Sequence, residues 1–174
     1  LNPSCNVATN ATSETFQAWN GGTGSLSITV STATAWINIT PSTGTSTGAS
    51  DKKTFTVSYT TSGLDAGSYS GTITVAGTGV QSRTITVNLT ILARVQFSAS
   101  TSSVSEDIGT ANVAVILTRK SNETVTVNYA RTGGTAVSGR DFTFTNGSLS
   151  FAPGQTSLNL NVNVNDNIVD QDNG

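Results

Sequence analysis

The chain has 174 residues, a formal net charge of −2, one cysteine and no histidine. The absence of histidine excludes Ser-His-Asp and Cys-His catalysis and His-based zinc sites. The eight Lys and Arg residues are scattered and form no basic stripe for the phosphates of a nucleic acid. No apolar run reaches the length of a membrane span. We therefore expect neither an enzyme, a nucleic-acid-binding protein nor a membrane-spanning protein.

Alternating apolar and polar residues predict short β-strands along the first half of the chain. Apolar side chains on one face and Thr, Ser or Asn on the other are typical of antiparallel sheets with one face exposed to solvent. Glycine-rich turn signals such as NGGTG (20–24) separate these runs. The runs are SLSITVS (25–31), KTFTVSY (53–59), GTITVAG (71–77) and RTITVNLTI (83–91).

The second half repeats this alternation with different sequences. Its runs are NVAVILTR (112–119), TVTVNYA (124–130), GSLSFAPG (147–154) and SLNLNVNVN (157–165). Short strands at such regular spacing indicate an all-β fold of two tandem antiparallel immunoglobulin-like β-sandwiches. We place the boundary in ILARVQF (91–97), which gives domains 1–93 and 94–174, the first with a loose N-terminal segment.

Two phrases of the first domain carry a resemblance to a known family. AWINITPSTGTSTG (35–48) and FTVSYTTSGLDAGSYSGTITVAG (55–77) are followed by the strand RTITVNLTI. Residues 13–92 thus resemble the BACON-type immunoglobulin-like module of bacterial surface and secreted proteins. We expect Trp36 to pack in the core, while Trp19 precedes a turn and is the candidate for an exposed sugar platform.

Four phrases of the second domain occur in the order found in another family. They are VQFSASTSSVSED (95–107), VILTR (115–119), VTVNYARTGGTAVSGRDF (125–142) and GSLSFAPGQTSLNLNVNVNDN (147–167). Residues 94–174 therefore resemble a Calx-beta domain. Some Calx-beta domains bind Ca²⁺ at one end of the sandwich, and others use the same framework without a metal.

The Calx-beta resemblance implies a set of acidic metal ligands. Ca²⁺ takes six to eight oxygen ligands, mainly carboxylates and carbonyls on adaptable loops, and the loops of a sandwich meet at its ends. The sequence departs from calcium-rich relatives at Arg140 and Asn165, so the alternative is an acidic loop end without metal. The implied ligands are Glu106, Asp141, Asp166, Asp170 and Asp172.

The same resemblance implies one more strand after Gly174, so the second sandwich is expected to lack its last strand. Three explanations stay open: a fragment of a longer protein, a groove filled by a donor strand from a neighbouring copy, or completion by residues 1–10. The donor candidate is LNPSCNVATNATS (1–13). Cys5 is either a lone thiol or a link to another chain.

These observations together indicate an extracellular or cell-surface protein. The predicted function is a structural and adhesive module, a rigid spacer or filament-building subunit stiffened by calcium. The alternative is a carbohydrate-binding accessory module of a secreted protein. The expected partners are neighbouring copies of the chain or other surface proteins, through donor-strand pairing, and glycans.

Overall fold

A computed structural model describes residues 1–166, and its regular elements are β-strands with one short 3₁₀ turn, Glu106–Ile108. The predicted all-β class is confirmed. No helix in this part of the chain is long and apolar enough to cross a membrane. The strands are β1 Ser4–Asn6, β2 Glu14–Ala18, β3 Leu26–Thr32, β4 Ile37–Thr40, β5 Thr43–Ser46, β6 Lys53–Tyr59, β7 Gly67–Gly77, β8 Val80–Leu92, β9 Val95–Phe97, β10 Thr110–Leu117, β11 Val125–Tyr129, β12 Phe142–Thr143, β13 Gly147–Phe151 and β14 Ser157–Val164.

The chain divides into two compact units, Leu1–Leu92 and Ala93–Gly174. Unit 1 contains a five-stranded sheet in the order β1-β8-β7-β3-β5 and a three-stranded sheet in the order β2-β6-β4. The apolar positions of the alternating runs face its core, where Phe55, Val57, Ile73 and Val87 are fully buried. Burial of these side chains is the main favourable contribution to folding of unit 1.

The N-terminal segment, which we expected to be loose, is tied into the sheet of unit 1. β1 pairs in parallel with β8, with Cys5 opposite Ile91. Backbone hydrogen bonds from Asn88 to the carbonyl of Leu1 (3.0 Å) and from Val7 to the carbonyl of Leu92 (3.1 Å) extend this pairing. The side chain of Val7 is 7% exposed. The proposed donor segment is therefore an integral part of unit 1.

The two tryptophans of unit 1 differ in their surroundings. Trp36 is half-buried, with its ring 6.2 Å from that of Tyr59, in line with its expected packing role. Trp19 is 44% exposed, and the Nζ of Lys52 lies 4.6 Å from its ring centroid. Trp19 is thus accessible on the surface, with one cation already over its ring.

Unit 2 contains a four-stranded sheet in the order β12-β14-β10-β9 and a two-stranded sheet of β11 and β13. Its core is a cluster of Val115, Leu117, Phe151 and Leu160, among which Phe151 is fully buried. The inward-facing residues of β11 are only half-buried. Phe97 on β9 is 57% exposed.

Candidate metal centre

Three of the predicted ligands lie within the described residues, each at a strand end or turn of unit 2. Glu106 opens the 3₁₀ turn, Asp141 immediately precedes β12, and Asp166 follows β14 by two residues. Gly109 ends the 3₁₀ turn with φ 72°, a left-handed conformation that favours glycine. Asp170 and Asp172 lie outside the described residues.

Backbone hydrogen bonds bring the segments that carry these three residues to the same end of unit 2. The N–H of Val164 donates to the carbonyl of Gly109 (2.9 Å), and the N–H of Asn165 donates to the carbonyl of Asp141 (3.0 Å). The Nδ2 of Asn165 also donates to the carbonyls of Gly139 and Arg140, at 3.2 Å each. The end of β14 therefore holds both acidic loops.

The carboxylate of Asp141 is already engaged. Its Oδ2 accepts a hydrogen bond from the N–H of Val137 (2.7 Å), and Arg140 contacts both oxygens, with Nε 2.7 Å from Oδ1 and Nη2 3.1 Å from Oδ2. The hydrogen bond from Arg140 and the negative charge of Asp141 raise the pKa of the guanidinium. A cation at Asp141 would therefore compete with Arg140.

Across residues 1–166, no three acidic, histidine or cysteine side chains are placed to hold a metal ion. The structure thus brings the acidic loops together without gathering their carboxylates into a formed site. Glu106 and its neighbour Asp107 are exposed and acidic in the first turn of the 3₁₀ segment. Carboxylate, amide and carbonyl oxygens are the donors that Ca²⁺ prefers, so the residue types at this end fit that ion.

Asn165 is the residue whose role the sequence did not reveal. It is one of the two positions at which the sequence departs from calcium-rich Calx-beta relatives, and its side-chain amide binds the carbonyls of Gly139 and Arg140. The available signal was its place directly after Asn159, Asn161 and Asn163, which occupy alternate positions of β14. Asp107 was also not among the predicted ligands, although it adjoins Glu106.

Residues 88–174 match the protein family described as the Calx-beta domain. No curated protein matches the chain. The crystal structure of CBD12 from CALX1.2 is similar at 17% identity with a TM-score of 0.42, over 87% of this chain and 69% of that chain. The calcium binding domain CBD12 of CALX1.1 is similar at 16% identity with a TM-score of 0.42, over 88% and 69%.

A third similar structure is the GH5 xyloglucanase of Bacteroides ovatus, at 17% identity with a TM-score of 0.38. The likeness covers 62% of this chain and 19% of that enzyme. At such identities and TM-scores these likenesses assign no activity to the chain.

Proposed function

Because the chain belongs to the Calx-beta family, we propose that it is an extracellular structural and adhesive module whose second unit is stiffened by Ca²⁺. Calx-beta domains include calcium-binding modules, which makes Ca²⁺ a plausible ligand of unit 2. The module acts as a spacer: unit 1 supplies a rigid sandwich, and calcium fixes the loops at one end of unit 2. The BACON-type assignment of unit 1 stays a prediction.

The observation that supports calcium binding is the convergence of the acidic loops at the end of β14. Val164 holds the turn that follows Glu106 and Asp107, and Asn165 holds the turn that carries Asp141. Carboxylates brought to one end of a sandwich repel each other, and a divalent cation relieves this repulsion. Glu106, Asp141 and Asp166 are the described residues that would hold the ion.

In this proposal, Arg140 lowers the affinity of the site for Ca²⁺. It forms a bidentate ion pair with Asp141, so part of the negative charge at this end is already neutralised. Binding of Ca²⁺ requires Arg140 to swing away, which its 68% side-chain exposure permits. We therefore expect a weak site, in the range typical of extracellular calcium modules, about 10⁻⁴–10⁻³ M.

The test is thermal unfolding in excess Ca²⁺ and again in EDTA. Calcium at one hundred times the dissociation constant adds about 2.7 kcal/mol to the stability of unit 2, which is a shift of about 10 °C or more for a domain of this size. The shift should be confined to one of two transitions. Equal unfolding curves in calcium and EDTA would overturn the proposal.

A matched pair of variants assigns the site. Asp141→Asn should abolish the calcium shift, whereas Asp51→Asn in unit 1 should leave it intact. Asp51 is a close control because its carboxylate is bound in the same way as that of Asp141. It accepts a hydrogen bond from the backbone N–H of Thr47 (3.0 Å) and forms an ion pair with Lys53 (2.6 Å). If both variants reduced the shift equally, the calcium effect would come from general charge screening.

The second candidate function is carbohydrate binding, and the exposure of Trp19 favours it. The ring lies beside a shallow apolar surface that includes Leu26 and Val80, and sugars stack on exposed aromatic faces. Lys52 over the ring weighs against an open platform. Tryptophan fluorescence titrated with plant and bacterial oligosaccharides, in the native chain and in Trp19→Ala, tests this function.

A further inference from the structure

Trp19 and Val80 form an exposed apolar patch at one end of unit 1. Trp19 follows directly after β2 and is 44% exposed, and Val80 opens β8 and is 53% exposed. Both line a shallow cavity of about 130 Å³, together with Leu26, Gln81 and Arg83. We refer to these five residues as the Trp19 patch. Exposed apolar side chains that are grouped in one cavity indicate a binding site more strongly than scattered ones.

The basic residues of unit 1 are gathered at this patch. The Nζ of Lys52 lies 4.6 Å from the ring centroid of Trp19, and Arg83 lines the cavity. Lys53 lies opposite Ala18, the residue before Trp19. The side-chain charges of residues 1–92 balance as a whole, with three acidic residues, Glu14, Asp51 and Asp65, and three basic ones, Lys52, Lys53 and Arg83. The balance hides a separation of charge along the unit.

Two of the acidic residues lie away from the patch. Glu14 opens β2, and Ala18, where this strand ends, is roughly 13 Å further along. Asp65 precedes β7, whose opposite end, Gly77, lines the cavity. Both separations exceed the Debye length of about 8 Å at physiological ionic strength. The carboxylates of Glu14 and Asp65 are therefore screened from the patch.

Asp51, the third acidic residue, is already paired. Its Oδ1 lies 2.6 Å from the Nζ of Lys53, and its Oδ2 accepts hydrogen bonds from the backbone and the side chain of Thr47. Within residues 1–166, neither Lys52 nor Arg83 has a carboxylate at ion-pair distance. The patch therefore has two positive charges that no carboxylate of the described chain compensates.

An aromatic face beside two such cations suits a sugar that has a carboxylate. The C–H groups on the face of a pyranose ring pack on an aromatic ring. In a uronic acid the carboxylate is bonded directly to this ring and projects from its edge. A guanidinium binds a carboxylate through two parallel hydrogen bonds. One sugar residue can therefore use the aromatic face of Trp19 and the charge of Arg83 together.

The size of the cavity and the exposure of its polar residues fit a single sugar ring. Pockets that enclose a drug-sized ligand begin at about 300 Å³, so a cavity of about 130 Å³ holds one ring, and the rest of a chain stays in solvent. Gln81 is exposed, and its amide can donate to and accept from sugar hydroxyls. Lys52 is also exposed, and a cation–π contact at an exposed site is weak, so its ammonium can move from the ring to a carboxylate.

We propose that the Trp19 patch binds a uronic acid residue of an anionic oligosaccharide, with the sugar ring on Trp19 and the carboxylate held by Lys52 and Arg83. A neutral sugar leaves Lys52 over the indole and gains nothing from Arg83. This inference deepens the carbohydrate-binding candidate and rests on it, because it names the class of sugar. It does not rest on calcium binding by unit 2.

Isothermal titration calorimetry of the whole chain with trigalacturonate and with its methyl ester tests the charge directly. The two ligands have the same rings, and only the first is charged. At about 0.15 M salt, and in EDTA because uronates themselves bind Ca²⁺, the acid should bind about tenfold more tightly. Equal affinities would overturn this inference and leave carbohydrate binding standing, whereas binding of neither ligand would overturn both. Tighter binding of a sulfated trisaccharide without uronic acid would overturn the choice of carboxylate.

Variants assign the binding to the patch. Lys52→Gln and Arg83→Gln should each lower the affinity for trigalacturonate about fivefold to tenfold, and Trp19→Ala should abolish binding. Arg94→Gln is the matched control, because it removes an exposed cation and changes the net charge equally. Equal losses in Arg94→Gln and Arg83→Gln would show diffuse attraction to the whole chain and overturn the site. Far-UV circular dichroism of each variant separates loss of folding from loss of binding.

A second copy of the chain is the competing occupant of the patch. Sedimentation velocity without ligand should show the same species for the native chain and for Trp19→Ala. A dimer that Trp19→Ala dissociates would assign the patch to self-association and overturn the proposal.

Discussion

The phenolic hydroxyl of Tyr59 donates a 2.6 Å hydrogen bond to Oε2 of Glu14 and so joins β6 to β2. Tyr59 is 3% exposed, and its ring also packs against that of Trp36. Burial raises the pKa of Tyr59 most, and the hydrogen bond and charge of Glu14 raise it further. The neutral phenol is thus a structural component of unit 1.

The raised pKa of Tyr59 predicts that unit 1 loses stability at alkaline pH. Below about pH 10 the phenol is protonated in both the folded and the unfolded chain, so its contribution is fully present. As pH rises further, the unfolded chain loses the proton while the folded chain retains it, and the free energy of unfolding falls. Urea unfolding of unit 1, followed by tryptophan fluorescence at a series of pH values, measures this fall.

The variant Tyr59→Phe separates this effect from general alkaline unfolding. It should lower the stability of unit 1 at neutral pH by about 1–2 kcal/mol, because Glu14 loses its donor, and it should flatten the alkaline slope. Tyr129→Phe, which removes a phenol from unit 2, should keep the slope of unit 1. An unchanged slope in Tyr59→Phe would contradict the assignment.

Phe151→Ala should unfold unit 2 selectively. Phe151 is fully buried against Val115, Leu117 and Leu160, and such a truncation costs about 3–5 kcal/mol. That is comparable with the whole stability of a small domain. Both tryptophans lie in unit 1, so fluorescence should still report one cooperative transition while circular dichroism loses part of its amplitude. Loss of the fluorescence transition would show that unit 1 depends on unit 2.

Gly147→Ala should destabilise unit 2. Gly147 lies opposite Tyr129 in the β11–β13 pair, and an added Cβ would lie 2.7 Å from Oη and 3.1 Å from Cζ of that tyrosine. The ring must move, at a cost of about 1–2 kcal/mol. Gly133→Ala is the control, because its Cβ would meet nothing within 4 Å. Equal urea midpoints for the two variants would contradict this packing.

Asn165→Ala should weaken calcium binding without removing a carboxylate. The amide of Asn165 holds the carbonyls of Gly139 and Arg140, and loss of such a supporting contact typically costs 10–100-fold in metal affinity. Asn163→Ala, two residues earlier in β14, removes a 3.4 Å contact with Thr110 and should change calcium binding little. Isothermal titration calorimetry with Ca²⁺ compares the calcium affinities of the two variants.

The alternating runs predicted the strands well because apolar residues and buried side chains both recur at every second position of a strand. Ile28 and Val30 in SLSITVS, and Phe55 and Val57 in KTFTVSY, are buried on one face as expected. The same period is present in the N-terminal segment, where Pro3 and Val7 are buried and Asn2 and Ser4 are exposed. It was missed because the run is short and its partner strand lies more than eighty residues away.

The site was less predictable than the strands. The acidic residues of the loops were identified, but their meeting depends on hydrogen bonds between distant backbone segments, such as Asn165 to Asp141. No local preference encodes such a contact. The ion pair of Arg140 with Asp141 is local, and the adjacency of the two residues was its visible signal.

The parallel alignment of β1 with β8 determines how unit 1 bears mechanical load. Force applied at Leu1 and at Leu92 pulls the two strands past each other along their length. The hydrogen bonds that join residues 1–7 to β8 are then loaded in shear and must break together. Forced unfolding is governed by the unfolding rate. Bonds that must break together slow this rate, so unit 1 should stay folded at a force that would open a hairpin, whose bonds break one at a time.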